Sequence, residues 1–560
     1  MEKLLKNPFF WQLITLFPGS GHISIEDKNF IQKHSIFNFP SLNFTEKIPK
    51  FFLEEIKKKE FNCGVYIHYP FCRRICKFCM FGGIYHKNNK ELIKFNNMFG
   101  KLCKKELEIW IKGLYKLYKK KGGPLSIQLL RIIHPHLNKD DFFRLLEPKL
   151  IHIGGGTPNL LSVKGFVNLF KNFREMYGNK FFEKVYWEVE LSPEEEGIEE
   201  IINLLQENGC KRISLGVQTF NNKVRKFLGR GGDSELIWGL LEDLKSKFRI
   251  PLVNIDLLYG LPYLPISDSL KDVFSLINFF KDSKDVRFSI DIGRYIVTPR
   301  NYRLGKFELL DNHAGIWETF YFLNTVIRFS QEAKIFIRNG DFDYKLRVFS
   351  SPTSESNSST PFSYEYYYYM PSIYGILIGI GPFAKSLFSP YLTSPIWYNR
   401  WDWKGWHSFL QKENSLENFL FSTYYPFPKN PFLRNLLLFH SLLIRFLYYK
   451  GEIPEFILES LPSKEKSFVK RIVKFLYKNK FFEKKDNSYK LPLGYNFLIP
   501  LISLLFIPYS YLKGKELLPG FMEIDIKGIT EFSVGNKIIK ESFQVKEAIA
   551  YALQKEILKR

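Results

Sequence analysis

Six cysteines in 560 residues are too few to staple a chain of this size with disulfides, so the sequence excludes a disulfide scaffold and points to a reducing cytoplasm. A long apolar run is missing as well. The most apolar stretch, Phe497 to Leu512, contains Pro500 and Pro508 and is short for a membrane span, which calls for a buried helix or strand pair. Near the N-terminus stand Lys3 and Lys6, but Asn7 to Phe17 is interrupted by polar residues and proline and has no small-residue cleavage site, so no signal peptide is expected. Acidic residues are scarce beside basic ones, 57 against 81, for a formal net charge of +24. Such an excess admits a nucleic acid, an anionic small substrate or an acidic membrane face as partner. Yet the lysines recur singly or in pairs through nearly every segment, and the one dense cluster, Lys119 to Lys121, ends a helical run before Gly122-Gly123-Pro124. A solvated lysine-rich surface accounts for this pattern.

With 45% hydrophobic residues the chain can bury a large core, and its length predicts about two to four domains. Six short apolar runs suit parallel strands buried on both faces: 64–68, 150–154, 185–191, 212–217, 252–258 and 287–297. Helical spacing fills the intervals, over 91–116, 161–177, 197–208, 222–227 with 236–247, and 267–280. This alternation predicts βαβ units with right-handed crossovers, an α/β fold in the form of a partial (β/α)6 barrel. A segment over 122–149 has no assignable role, and residues 1–61 are expected to cap the barrel, which itself is placed at 62–300. Residues 301–425 read as an extension holding the mobile serine-rich loop Ser350 to Ser363, followed by the aromatic run Tyr364 to Tyr369. Residues 426–512 read as a winged-helix-like α+β domain with a hairpin from Phe481 to Leu491 turning at Asp486-Asn487. An extension over 513–560 contains a helix over Gln544 to Lys559.

Chemistry concentrates in Tyr66-Ile-His-Tyr-Pro-Phe-Cys72-Arg-Arg-Ile-Cys76-Lys-Phe-Cys79. C-x3-C-x2-C directly after an apolar strand gathers three thiolates in one loop, and three thiolates leave one iron of a [4Fe-4S] cube open for a substrate or cofactor. That ligand count is the one used by radical S-adenosylmethionine (SAM) enzymes. The competing arrangement is a structural zinc site with His68 or His86 as fourth ligand. Cys63, Cys103 and Cys210 stand alone and read as inert core thiols.

Parallel strands carry their reactive groups at their C-terminal ends. The glycine run Gly154-Gly155-Gly156-Thr157-Pro158 leaves strand two, Glu190 closes strand three, Gln218 follows strand four and Asp256 lies near the end of strand five. Clustered glycines mark a tight turn and also let backbone amides approach a ligand. Asp256 interrupts the apolar run LVNIDLLYGLP, and a carboxylate there needs a partner. Arg230 offers paired N–H donors to a carboxylate. SAM supplies the complements: a carboxylate for arginine, an ammonium and ribose hydroxyls for acids, and an adenine for backbone pairing.

Four segments, YIHYPFCRRICKFC, HIGGGTPNLL, CKRISLGVQTFNNKVRKFLGR and NIDLLYGLP, occur in the order found in radical SAM proteins similar to oxygen-independent coproporphyrinogen III oxidase, a family that includes heme chaperone and heme-degrading methyltransferase branches. A weaker match runs through ILIGIGPFAKS into the C-terminal unit, which in the family covers the barrel mouth and does not bind nucleic acid. The resemblance implies a [4Fe-4S] cluster on Cys72, Cys76 and Cys79, its open iron chelated by the amino and carboxylate groups of SAM. It also implies SAM contacts from Phe78, Gly155, Gly156, Thr157, Glu190, Gln218, Arg230 and Asp256, with Tyr66 reaching SAM or substrate in a catalytic role. The implied reaction is one-electron cleavage of SAM to a 5'-deoxyadenosyl radical, on a tetrapyrrole. The implied partners are an anionic tetrapyrrole and an electron donor such as a flavodoxin or ferredoxin, in the cytoplasm, without a nucleic acid or a membrane span. Departures bear on the substrate. A fourth cysteine of the oxidase is replaced by Phe81, and Gly231-Gly232 stand where the chaperone branch carries a histidine. A radical SAM methyltransferase and a heme-binding chaperone are the alternative outcomes.

Overall fold

The computed structural model describes residues 57, 60–79, 83–86, 89–120, 125–281, 283, 287–295, 316–339, 346–349, 375–388, 396–398, 403–412, 420–421, 451–459 and 461–493, with isolated positions between 430 and 447 and at 502, 505 and 506. The expected N-terminal cap, the serine-rich loop, the tyrosine run, the 513–560 extension, Phe81 and nearly all of Phe497 to Leu512 lie outside the described residues.

Seven strands form the parallel part of one sheet: β1 Asn62–Tyr69, β2 Leu150–Gly155, β3 Tyr186–Leu191, β4 Arg212–Gln218, β5 Leu252–Tyr259, β6 Arg287–Arg294 and β7 Gly375–Ile380, in the order β7-β1-β2-β3-β4-β5-β6. The first six are those read from apolar runs, and they are buried over most of their length. The six βα units read from the sequence are present, and a seventh strand joins them: β7 pairs parallel to β1, with Tyr66 opposite Gly379. Antiparallel strands extend both edges, Leu346–Phe349 and Phe336–Asn339 beyond β6, and Lys385–Phe388, Ile396–Tyr398 and Leu420–Phe421 beyond β7.

The connecting helices are α1 Asn89–Lys119, α2 Ser162–Tyr177, α3 Ile198–Glu207, α4 Asn222–Leu228, α5 Ser234–Ser246, α6 Ile266–Phe280 and α7 Ile316–Glu332. The longer helices bury an apolar stripe, as Leu169, Phe170 and Phe173 of α2 do, while α4 buries Val224 and Leu228 in a separate cluster with Leu261 and Tyr295. The short α4 is fixed at both ends. The Asn221 side chain accepts from Val224 N–H at 3.1 Å, and Gly229 closes the helix with φ +81°. The unassigned segment after α1 forms two helices, Leu125–Ile133 and Lys139–Leu145. Arg131 from the first of them donates to the carbonyls of Leu117 and Tyr118 at 2.6 and 2.7 Å, so this segment caps the C-terminus of α1.

Further along, the helix Ser463–Lys478 packs with a three-stranded antiparallel sheet of Glu452–Pro454, Glu483–Lys485 and Ser488–Lys490, and the hairpin turns at Asp486 and Asn487. This helix and sheet lie within the 426–512 segment that the sequence reads as winged-helix-like. Among the described residues no helix is long and apolar enough to cross a membrane.

Candidate active site

The cysteine loop is held from three directions. Phe71–Cys72 pairs parallel with Ile84–Tyr85, Lys77 N–H donates to Leu228 O at 2.9 Å at the end of α4, and Thr157 N–H donates to Phe71 O at 2.8 Å. Lys77 also places its ammonium 3.7 Å from the Phe227 ring centroid. Phe78 packs with Phe227 against the apolar cluster of Val224, Leu228 and Leu261. Cys72, Cys76 and Cys79 are free and only half buried. Cys63, Cys103 and Cys210 are fully buried, and burial pushes the Cys63 thiol up to about 12 and the other two well above the usual thiol range. The two groups of cysteines therefore separate as the sequence reading expects.

The donor set fits an iron–sulfur cube. Three half-buried thiols sit in one loop, and the Arg230 guanidinium donates to Cys76 Sγ at 3.7 Å. Beside Cys72 Sγ the chain has glycine: a Cβ at Gly83 would lie 2.9 Å from it and one at Gly156 3.0 Å. Among the described residues no three Cys, His or acidic side chains converge as a single metal ion requires, whereas a cube spreads three thiolates over three irons. Of the two histidines considered for zinc, His68 gives Nδ1 to the Tyr66 hydroxyl at 2.8 Å and His86 Nε2 lies 3.8 Å from Glu91.

The glycine triplet is required by packing at every position. At Gly154 a Cβ would come within 2.7 Å of Glu190 Oε2, at Gly155, with φ +110°, within 2.8 Å of the His68 ring, and at Gly156 within 2.5 Å of Phe71 O. The amides of Gly156 and Thr157 donate inside the protein, to Tyr69 O and Phe71 O. Their contribution to a ligand is thus the close approach of β2 to the cysteine loop.

A polar ladder crosses one face of the sheet. Tyr66 is opposite His152, His152 opposite Glu188, and Glu188 opposite Arg212. His152 Nδ1 is 2.7 Å from Glu188 Oε1 and Nε2 is 3.0 Å from Glu190 Oε1. Arg212 donates to Glu188 Oε2 at 3.1 Å and reaches Asp291 Oδ2 at 4.0 Å across β5. Burial disfavours a charged His152, but the two carboxylates outweigh it and lift its pKa to about 9. One layer up, Asp256 has the partners its position demanded, Ser214 Oγ at 3.0 Å and Asn254 Nδ2 at 2.8 Å. Gln218 sits at a β-bulge with φ +70°, a strained conformation of the kind stored at functional sites.

Arg230 is buried beneath this rim. One guanidinium nitrogen donates to Glu194 Oε2 at 3.1 Å and to Gly216 O, and Nε lies 3.0 Å from Glu194 Oε1, paired by charge without hydrogen-bond alignment. The carboxylate that Arg230 clamps here is Glu194. Buried Arg225 organises the same loop, donating to the carbonyls of Val217 at 2.6 Å, Thr219 at 3.2 Å, Gly231 at 2.7 Å and Gly232 at 3.3 Å. Of the predicted residues, Tyr66, the glycines and Glu190 gather around β1 to β3, while Phe78, Arg230 and Gln218 gather around the start and end of α4, with Cys76 joining the groups through Arg230. Sequence reading missed His152, Glu188, Arg212, Glu194 and Arg225. A charged residue inside an otherwise apolar strand was the available signal for the first three, the same one that marked Asp256.

A family model described as the radical SAM superfamily matches residues 66–273. The chain is 26% identical over 321 residues to the heme chaperone HemW of Lactococcus lactis, covering 57% of this chain and 70% of that protein. It is 26% identical over 224 residues to the oxygen-independent coproporphyrinogen III oxidase of Escherichia coli, covering 40% of this chain and 41% of that protein. The solved structure of coproporphyrinogen III oxidase (HemN) from Escherichia coli covers 83% of this chain and 94% of its own, with a TM-score of 0.57 at 17% identity, a likeness of fold.

Proposed function

From the premise that residues 66–273 are a radical SAM domain, a kind that works with a [4Fe-4S] cluster and SAM, we propose that this chain holds the cluster on Cys72, Cys76 and Cys79, cleaves SAM reductively and acts on a tetrapyrrole. The observation that carries the reading is the loop of three half-buried thiols with a guanidinium against Cys76. Cluster and SAM together supply one-electron cleavage of a sulfonium, chemistry that no side chain possesses. The chain's own part is to bind and orient. Glu190 and Asp256 are acceptors for ammonium and hydroxyl donors, Gln218 presents an amide on a strained bulge, and Gly155, Gly156 and Thr157 let the cofactor lie close to the cysteine loop. Phe78 gives an apolar wall, and Tyr66, tied to His68, directs its ring toward the centre of the sheet. Arg230 balances the negative charge at Cys76 from below. The electron comes from a small redox protein such as a flavodoxin or ferredoxin.

The tetrapyrrole assignment rests on the named relatives and on the net charge of +24, which attracts a polyanionic substrate. Phe81, in place of a cysteine, speaks against plain oxidase chemistry and keeps methyl transfer as a second outcome. Heme carriage is favoured by a different observation, the longer match to a heme chaperone. The test is anaerobic. Protein reconstituted with iron and sulfide receives SAM and a strong reductant, and 5'-deoxyadenosine is quantified with and without coproporphyrinogen III, with Cys76→Ala as control. Release that depends on the cysteine and rises with the porphyrinogen supports the reading. Release indifferent to it moves the substrate elsewhere. No release from a loaded cluster, with stoichiometric heme binding in a spectral titration, establishes the carrier instead.

A further inference from the structure

We propose that His152 is a positioning residue: bridging Glu188 and Glu190 through its two ring nitrogens, it holds the Glu190 carboxyl group at the rim for the amino or hydroxyl donors of bound SAM, an inference that rests on the cofactor reading above. The geometry constrains the protons. An ionised carboxylate only accepts, and a neutral imidazole has a single N–H. Contacts of 2.7 and 3.0 Å from the two ring nitrogens to two carboxylates are therefore both hydrogen bonds only if the ring carries two protons or one carboxyl carries one. Arg212, on the other oxygen of Glu188 at 3.1 Å, favours the carboxylate there. That leaves a doubly protonated ring or a proton on Glu190, and in the first of these both carboxylates accept from the ring.

The two carboxylates differ in a way that assigns their parts. The Glu188 side chain is 1% exposed and that of Glu190 38%. Glu188 is the inner anchor, locked to Arg212, and Glu190 is the end presented to a ligand. An independent feature makes room for the bridge: at Gly154 any Cβ would stand 2.7 Å from Glu190 Oε2 and 2.8 Å from His152 Nε2. Among the described residues, the titratable and charged groups facing His152 are Glu188 and Glu190 on β3, Tyr66 on β1 with its ring 5.6 Å away and His68 behind it, and, through Glu188, Arg212 on β4. Two carboxylates flank the ring, and Arg212 beyond Glu188 is itself shared with Asp291 at 4.0 Å. Losing the ring proton that faces Glu190 leaves that carboxyl group with the longer contact from Gly155 N–H at 3.4 Å.

SAM binding is measured by equilibrium dialysis on anaerobic, cluster-loaded protein, wild type and His152→Gln, from about pH 7 to about pH 10. The wild type should weaken over a step centred near pH 9, the value toward which the two carboxylates lift this ring. His152→Gln should bind about tenfold more weakly at neutral pH, the low end for losing an outer partner of a site, and should lack that step with unchanged cluster absorbance. The ligand's own amino group titrates equally in both proteins. Equal affinity and an equal pH step in the variant overturn the inference while leaving the cofactor reading intact. A loaded wild type that binds no SAM overturns both. Nitrogen NMR of histidine-labelled, ligand-free wild type tests the ring without any variant: two N–H signals for His152 at neutral pH are expected, and a single protonated nitrogen overturns the inference even if His152→Gln fails to fold.

Discussion

Glu106 lies wholly buried on α1, the helix that follows the cysteine loop, and its Oε2 accepts from Gly381 N–H at 2.9 Å and from the Trp406 indole at 2.8 Å. One oxygen thus joins three parts of the chain separated by 275 and 300 residues. The link reaches the site, because Gly381, with φ +100°, packs under the His68 carbonyl and Phe383 lies edge-on to the His68 ring at 6.0 Å. In Glu106→Ala both donors lose their acceptor inside the protein. A buried donor left unsatisfied costs about 1–3 kcal/mol, and with the vacated volume the total loss should be about 3–5 kcal/mol. Glu106→Gln keeps a carbonyl oxygen at the same place and should lose only about 1 kcal/mol. Urea unfolding followed by tryptophan fluorescence gives both values, and SAM dialysis on the same proteins should show weakened binding in the alanine variant and near wild-type binding in the glutamine one. A loss under about 1 kcal/mol in Glu106→Ala, or a larger loss in Glu106→Gln than in Glu106→Ala, would refute the account of this oxygen as the joint.

Stability should also depend on pH through His152. Its folded pKa is raised from 6.5 to about 9, so its contribution is full below about pH 6.5 and is lost as pH climbs through about 9. The shift of about 2.5 units corresponds to at most roughly 3 kcal/mol, seen as a falling urea midpoint in wild type and a flatter profile in His152→Gln. Arg225→Lys retains the charge but not the fork of donors that holds four carbonyls, and should lose about 2–4 kcal/mol together with SAM affinity, read by the same two assays. Iodoacetamide on iron-free protein under native conditions should modify Cys72, Cys76 and Cys79 and spare Cys63, Cys103 and Cys210, whose thiols are buried and shifted up. Labelling of Cys210 at a similar rate, by peptide mass spectrometry, would contradict its placement.

The parallel strands up to residue 294 and the helices joining them were legible because each carries an apolar signal of its own, such as LVNIDLLY in β5 and the stripe of α2, whereas the helices Leu125–Ile133 and Lys139–Leu145 were not read. β7 was not, although GILIGI is as apolar as any of them, because periodicity does not tell which strand a segment pairs with across a long interval. The rim residues were legible as polar interruptions at strand ends. Their partners were not: Glu194 lies in the loop after β3, and nothing local to it predicts that Arg230 folds back onto it. The glycine triplet was recognised, but its reason, the proximity of the His68 ring, Glu190 and Phe71, exists only once β1, β2 and β3 are side by side.

The pairing of β7 with β1 also sets an order of events in time. β1 gains β2 on one side after some 80 residues, but its other side waits for a strand that begins 306 residues past its end, from Tyr69 to Gly375. At a ribosomal rate of about 5–20 residues per second, that edge stays open for roughly 15–60 s of synthesis. The strand that leads into the cysteine loop is therefore closed on both sides later than every other parallel strand except β7, which waits for Lys385–Phe388, and an unpaired apolar edge is a template for pairing with other chains. A truncation after residue 294 would retain every cysteine of the loop and all six strands read from the sequence, and would leave that edge open for good.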